Sequence, residues 1–248
     1  MAGIIRRAYD GGMASLDAVQ RKISRAKEHW EELWEELTAY YKSDPGDLFP
    51  AAASTPENPV FIFKEKNPVP AKIALVMGDA LQCLRSSLDY LVWELVEAGG
   101  NVPHRSLMFP IAMTLKQYKD DLDKRHRLDG VPPRAAAIID RFQPYRDPNP
   151  KETVLGILEE LTNVNKHRRM IFTGLHGTVN ELPSFIPHVV GVVRWLDGSG
   201  KLLEEVTVRG TLTLQEGLSK SIEVTNCVDT VARLISEQML PLFEPFFK

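Results

Sequence analysis

The spacing of hydrophobic residues changes along the chain, and these changes predict the order of its elements. Over most of the first two thirds, hydrophobic side chains recur every three or four positions, which is the repeat of an amphipathic helix. The helix at 71–98 is the most apolar of them, so we expect it at the centre of the core. The predicted helices of this part cover residues 14–41, 71–98, 133–142 and 150–166.

The connections between these helices differ in character. Residues 44–59 contain four prolines among small residues and predict a loop, which a short strand at 60–63 follows. Residues 114–129 form a mixed, charged segment to which no element is assigned. The pair Asn149-Pro150 is typical of an N-cap followed by proline at the first helical position, and it predicts the start of the helix 150–166.

After residue 168 the hydrophobic residues lie in short or alternating runs, which are typical of strands. Strands are therefore expected over about 168–225, and helical spacing returns at about 226–240. This order predicts an α+β fold, a predominantly helical bundle with a small antiparallel sheet built mainly from the C-terminal third and closed by a C-terminal helix. Because the last helix can pack back on the early ones, we expect residues 1–248 to form a single domain. The predicted strands cover residues 170–172, 188–196, 202–214 and 221–224.

Composition places the chain among ordinary soluble proteins, with 44% hydrophobic and 25% charged residues. A net charge of -3 argues against a general binder of polyanions, so RNA and nucleotides are unsupported as partners. No stretch has the pattern of a signal peptide or a membrane span, and the two cysteines lack paired spacing. We therefore expect a cytoplasmic protein. No motif for a cofactor or a metal occurs, so neither is expected.

The charged face of the predicted helix 14–41 changes sign at its middle. Its first half is basic and its second half is acidic, which is the order that the helix macrodipole does not favour. One interpretation is a solvated face with local pairs such as Lys27 with Glu31. The other is an antiparallel partner helix that matches opposite charges end to end. We therefore expect a protein partner, or a second copy in a dimer, at this helix.

The densest polar stretch of the chain, residues 161–169, follows the amphipathic helix 150–166. On that helix, steps of three and four bring Asn165 and Arg168 to the core side and leave His167 on the flank. On the helix 71–98, Arg85 borders the apolar face and needs a partner, because an unpaired buried charge is costly. We expect these two helices to face one another. Besides Arg85 and His167, the predicted polar cluster contains Asp79, Asp89, Glu160, Asn163, Asn165, Lys166 and Arg168.

Two interpretations of this cluster remain open. In the structural one, Asp79, Asp89 and Glu160 pair with the two arginines, and the cluster fixes the register of the helices. In the functional one, Arg85 and the basic residues 166–168 surround a cleft and bind a phosphate or a carboxylate. His167 would then transfer a proton near neutral pH, and His167 and Arg85 are the catalytic candidates.

Four elements of the chain occur together in an uncharacterised family of bacterial and phage proteins, which the chain resembles over about residues 70–169. The family has an acid where this chain has Asn165, which removes a carboxylate that an ion pair or a metal could use. The resemblance implies no known activity. The elements are Gly78-Asp79 with Leu84-Arg85-Ser86-Ser87-Leu88-Asp89, Phe109-Pro110-Ile111, Gln143-Pro144-Tyr145, and Leu161-Thr162-Asn163-Val164-Asn165-Lys166-His167-Arg168.

Arg85 is also similar to the arginine of HEPN ribonucleases, whose helical signature places a histidine four to six residues later. This chain has Tyr90 there, so only Arg85 is carried over from the metal-independent RNA cleavage that the similarity implies. The leading hypothesis is a non-enzymatic interaction or structural module, in a defence- or phage-related assembly. The alternative is a HEPN-like ribonuclease, or a nucleotide- or phosphate-binding protein, that uses the Arg/His cluster.

Overall fold

The structure of the protein is a computed structural model, which describes residues 14–50, 61–167, 172–179, 189–196, 202–214 and 222–248. A π-helix, Leu234–Met239, joins the last two α-helices. Within the described residues the α-helices are α1 (Asp17–Lys42), α2 (Ala71–Ala98), α3 (Leu115–Asp123), α4 (Pro133–Arg141), α5 (Val154–His167), α6 (Val224–Arg233) and α7 (Leu240–Phe243). The strands are β1 (Gly46–Pro50), β2 (Phe61–Glu65), β3 (Phe172–Val179), β4 (Val189–Leu196), β5 (Leu202–Leu214) and β6 (Ile222–Glu223).

The helices α1 and α2 form the centre of the core. Near the start of α1 the Ser15 N–H donates to Glu94 at 3.0 Å, and near its end Lys72 pairs with Glu36 at 2.7 Å. The two helices are therefore antiparallel. Helices α5 and α6 also pack against α2, which has buried residues from Ile73 to Val96. The central position predicted for the helix 71–98 is confirmed.

The strands pair in two places. β1 and β2 form an antiparallel hairpin with Gly46 opposite Glu65. The later strands pair antiparallel in the order β3–β5–β4, with Val193 opposite Val206 and the two-residue β6 against β5. β1 contacts β4, and β5 and β6 contact α6. The later strands thus meet the helices at α6.

The protein is mainly helical, because most of its residues in regular elements lie in helices. The α+β class predicted from the sequence is therefore wrong. The described buried core consists mainly of residues from α1, α2, α5 and α6, so helix packing on helix carries the fold. The late alternating runs led to the inclusion of a sheet in the predicted class, although alternation indicates local conformation and does not measure a share of the core. The single domain remains a prediction.

Several boundaries also differ from those expected. The charged segment 114–129 contains α3, whose N-cap Thr114 accepts the Gln117 N–H at 3.1 Å, and the loop predicted at 44–59 contains β1. α5 begins at Val154, not at Pro150, which lies in a short 3-10 turn. The C-terminal helix begins at Val224 and continues past Pro241, which lies in the first turn of α7 where its missing N–H has no helical partner to lose.

The start of α5 is set by a cap and a close approach. Thr153 Oγ1 accepts the Gly156 N–H at 3.0 Å and donates to the carbonyl oxygen of Pro150 at 2.7 Å. A Cβ atom at Gly156 would lie 2.1 Å from that same carbonyl oxygen, so only glycine fits there without a shift.

Within the described residues, none of the helices combines the length and the apolar character that a membrane span requires.

Candidate functional site

Arg85 lies on the buried face of α2, with 4% of its surface exposed. Its Nη1 donates to Oδ1 of Asp89 at 2.7 Å, and its Nη2 donates to the carbonyl oxygen of Phe109 at 2.8 Å. Its Nε lies 3.6 Å from Oε2 of Glu159 on α5. All three nitrogens of the guanidinium therefore face a protein acceptor, and the predicted contact between these two helices is confirmed.

Asp89 and Arg85 together hold the backbone of Phe109. Oδ1 of Asp89 accepts the Phe109 N–H at 2.9 Å, while Arg85 donates to the carbonyl of the same residue. Phe109 is fully buried and lies outside any helix or strand, so it has no regular backbone partner. The two charged side chains, one helical turn apart on α2, thus satisfy both backbone polar groups of one buried residue.

Gln143 has the same role for the next residues. It belongs to the residues that surround residues 109–112, which are all buried. We call residues 109–112 the buried segment. The Gln143 side chain accepts the Ala112 N–H at 3.0 Å and donates to the Pro110 carbonyl at 2.8 Å. The Tyr145 N–H donates to the Ala112 carbonyl at 2.9 Å. Because a buried chain without helix or strand must find other hydrogen-bond partners, side chains and turns supply them here.

Contacts at its two ends complete the surroundings of the buried segment. Gln117 on α3 accepts the Met113 N–H at 2.9 Å, and the Arg127 carbonyl accepts the Met108 N–H at 3.1 Å. Nε of Arg127 in turn lies 3.2 Å from the fully buried carboxylate of Asp121. The segment is therefore held by α2, by α3, and by the loops that follow α3 and α4.

Helix α5 contributes Glu159 to Arg85, where the sequence predicted Glu160. The predicted stripe began at Val154 and Ile157, whereas burial in the structure is displaced around the helix toward Leu155 and brings Glu159 to the edge that faces α2. Glu160 is half-buried one residue further around the helix. Among the described side chains of α5, the buried residues are Leu155, Gly156, Leu158, Leu161 and Thr162.

The other predicted residues have mixed outcomes. Asn163 is exposed and donates to Oε1 of Glu159 at 3.3 Å, so it joins the cluster from outside. Asp79 is exposed on α2 and is not a partner of Arg85. The last turn of α5 contains Asn165, Lys166 and His167, whose side chains lie outside the described part of the structure, as does the whole of Arg168. The roles predicted for these four, including catalysis by His167, stay predictions.

The charges of the described cluster decide what it can bind. One arginine faces two carboxylates, so the cluster carries a net negative charge when all three groups are ionised. The Arg85 side chain is 5% exposed, against 33% for Asp89 and 26% for Glu159. A ligand that approaches from solvent therefore meets the carboxylates first. This arrangement of the described residues suits the holding of a backbone.

A groove of about 280 Å³ lies where α5 begins and the turn after α4 passes, and its lining residues include Arg141, Arg146, Thr153 and Leu234. Arg146 is bound to the Asp140 carboxylate. None of the described residues that the sequence assigned to the polar cluster lines this groove. The cleft around Arg85 stays a prediction.

The nearby tyrosines are held as neutral hydroxyls. Burial raises the pKa of Tyr118, and the neighbouring Asp140 carboxylate raises it further. Burial also raises the pKa of Tyr145, whose hydroxyl donates to Asp140. The Tyr118 and Tyr145 rings pack at 5.5 Å between centroids. These groups therefore act as hydrogen-bond donors and packing surfaces near neutral pH.

Across the described ranges of the chain, no three His, Cys, Asp or Glu side chains come together in a way that could hold a metal ion.

Comparison of the chain with protein-family models, curated proteins and solved structures finds no match. The resemblance to bacterial and phage proteins therefore remains a prediction. Sequence reasoning did not assign Gln143 or Phe109 to the cluster, and the signal that could have found them is that both belong to elements of that resemblance.

Proposed function

We propose that the protein is a non-enzymatic interaction or structural module in which the Arg85 cluster stabilises the fold. The observation that carries this proposal is that Arg85 is buried, with its three guanidinium nitrogens facing Asp89, Glu159 and the Phe109 carbonyl. Only 5% of the Arg85 side chain is exposed, so a substrate has little access to the guanidinium, and a substrate that displaced one of these acceptors would leave it unpaired. Leaving a buried polar group unpaired costs about 1–3 kcal/mol, and more when the group is charged.

Electrostatics supports the same proposal. The described cluster has an excess of one negative charge, and the whole chain has a net charge of -3. Both would repel an RNA backbone, whose affinity for proteins depends mainly on cationic contacts. The resemblance to bacterial and phage proteins supports a place for the module in a phage- or defence-related assembly.

The alternative, a HEPN-like ribonuclease or a phosphate-binding protein, requires that Arg85 contact a phosphate. It also requires His167 as the proton-transfer group. In that case Arg85→Lys and His167→Ala would each abolish activity while the protein stays folded. In the proposed module, Arg85 variants lose stability and His167→Ala changes nothing measurable.

The experiment is an RNA-cleavage assay with single-stranded RNA and a metal chelator, performed on the wild type, Arg85→Lys and His167→Ala. We expect no cleavage by any of them above a buffer control. His126→Ala is the matched control, because His126 is an exposed histidine in the loop that follows α3. Circular dichroism establishes that each variant is folded. Cleavage by the wild type that both Arg85→Lys and His167→Ala remove, and His126→Ala retains, would overturn the proposal in favour of the ribonuclease.

A further inference from the structure

The outward face of α1 carries charges that the described structure leaves largely unused. It contains Arg21, Lys27, Glu28, Glu31 and Glu35, all exposed, and we call it the charged face of α1. Its Glu28 pairs with Arg25 at 2.5 Å. Arg21, Lys27, Glu31 and Glu35 form no ion pair with any residue that the structure describes. The local Lys27–Glu31 pair that a solvated face would use is thus not formed.

Other charges of α1 are engaged with α2. Lys72 lies 3.1 Å from Glu32 and 2.7 Å from Glu36, and Lys22 lies 5.5 Å over the ring of Tyr90. α1 therefore has a flank whose charged side chains contact α2 and a charged face that is exposed to solvent. The open face has cations in its first half and anions in its second half.

When a second copy of α1 lies antiparallel to the first, this order places cations of each copy opposite anions of the other. With the two-fold axis between Lys27 and Glu28, Lys27 of each copy lies opposite Glu28 of the other, and Arg21 lies within one residue of the position opposite Glu35. Trp34, half-exposed beside Glu35, would also come within reach of the opposite Arg21, where a cation can lie over its ring. A parallel arrangement would instead place Arg21 against Arg21 and Glu35 against Glu35. The pattern therefore specifies both the partner and its direction.

We propose that the charged face of α1 binds a second copy of this chain in an antiparallel, two-fold arrangement that pairs Arg21 with Glu35 and Lys27 with Glu28. The inference rests on the proposed interaction function and names its partner. Because exposed ion pairs are individually weak and screened by salt, the dimer forms at high protein concentration and low ionic strength. The affinity falls about tenfold or more in roughly 0.5 M salt.

The test is analytical ultracentrifugation of the full chain over a concentration series, at low and high salt. Arg21→Glu alone and Glu35→Arg alone should each be monomeric at about 100 µM, because each creates two like-charge contacts per dimer. An equimolar mixture of the two variants should associate, since both cross-pairs are then attractive. The double variant R21E/E35R should associate with itself for the same reason.

The folding of these variants is not expected to limit the test. The helix macrodipole favours anions near the start of a helix and cations near its end, and the changes to Glu at 21 and to Arg at 35 follow this preference. Arg21 acts on the nearby Glu94 carboxylate, so Glu35→Arg is the cleaner of the two changes. Arg134→Glu, at an exposed arginine on α4, is the matched charge-reversal control and should dimerise like the wild type.

Two results would overturn the inference: a wild type that is monomeric throughout the series at low salt, or single reversals that associate as the wild type does. Neither result affects the proposed interaction function, which would then need a different partner. Cleavage of RNA that depends on Arg85 and His167 would overturn the interaction function whatever the mass of the particle.

Discussion

Replacing Arg85 with alanine removes the centre of the buried cluster, and its effect on stability can be estimated from the contacts. The change leaves the carbonyl of the fully buried Phe109 without the Arg85 donor and removes the Arg85 guanidinium from Asp89 and Glu159. Breaking a buried ion pair by removing one partner costs about 3–5 kcal/mol. For a chain of this size, that loss lowers the Tm by roughly 6–20 °C.

The assay is urea denaturation followed by circular dichroism, with thermal unfolding as a second readout. Arg85→Lys should recover about half of the lost stability. The lysine ammonium can donate to one acceptor, but it lacks the planar fork with which the guanidinium donates to Asp89 and to Phe109 at the same time. Arg105→Ala is the control, since Arg105 is exposed and pairs with no described residue. Its effect should stay within about 0.5 kcal/mol.

A double-mutant cycle separates the two carboxylates. Asp89→Asn removes the shorter contact, 2.7 Å from Arg85, whereas Glu159→Gln removes the one at 3.6 Å. The coupling of Arg85 with Asp89 should therefore exceed its coupling with Glu159. A loss below about 1 kcal/mol in Arg85→Ala, with the wild type and variant unfolding in two states, would refute the view that this arginine stabilises the fold.

Two further predictions concern buried side chains. Gln143→Ala should cost about 2–4 kcal/mol in urea denaturation, because it removes the partners of the Ala112 N–H and the Pro110 carbonyl; an unchanged midpoint would contradict this. Burial raises the pKa of Cys227 to about 12, above that of the unfolded thiol, so its contribution to stability is complete below about pH 8.5 and is lost as the pH rises toward 12. The loss of stability between about pH 8 and 10 should be smaller in Cys227→Ala than in the wild type; equal losses would contradict the raised pKa.

The parts of the fold that could be predicted are those that side-chain spacing encodes. The positions of α1 and α2, and the placement of Arg85 at the edge of the apolar face, follow from the repeat of leucine and isoleucine. The mistaken choice of Glu160 has a definite cause: Leu155 and Thr162 are buried, and they turn α5 relative to the stripe expected from Val154 and Ile157. A small rotation of a helix about its axis changes which of two neighbouring residues faces the partner helix. An apolar stripe that has further apolar residues on its flanks does not determine this rotation.

The backbone partner of Arg85 could not have been predicted in this way, because a carbonyl has no signature in the sequence. Arg85 and Asp89 lie on α2 at a separation of four residues, and both are directed at Phe109, one to its carbonyl and one to its N–H. Side chains four residues apart lie on the same face of a helix, so one helix can bind both the N–H and the carbonyl of a buried residue that lies outside regular structure. The same arginine that resembles a ribonuclease signature is therefore accounted for by hydrogen bonding within the fold. A catalytic role would have to use a guanidinium that already has three acceptors.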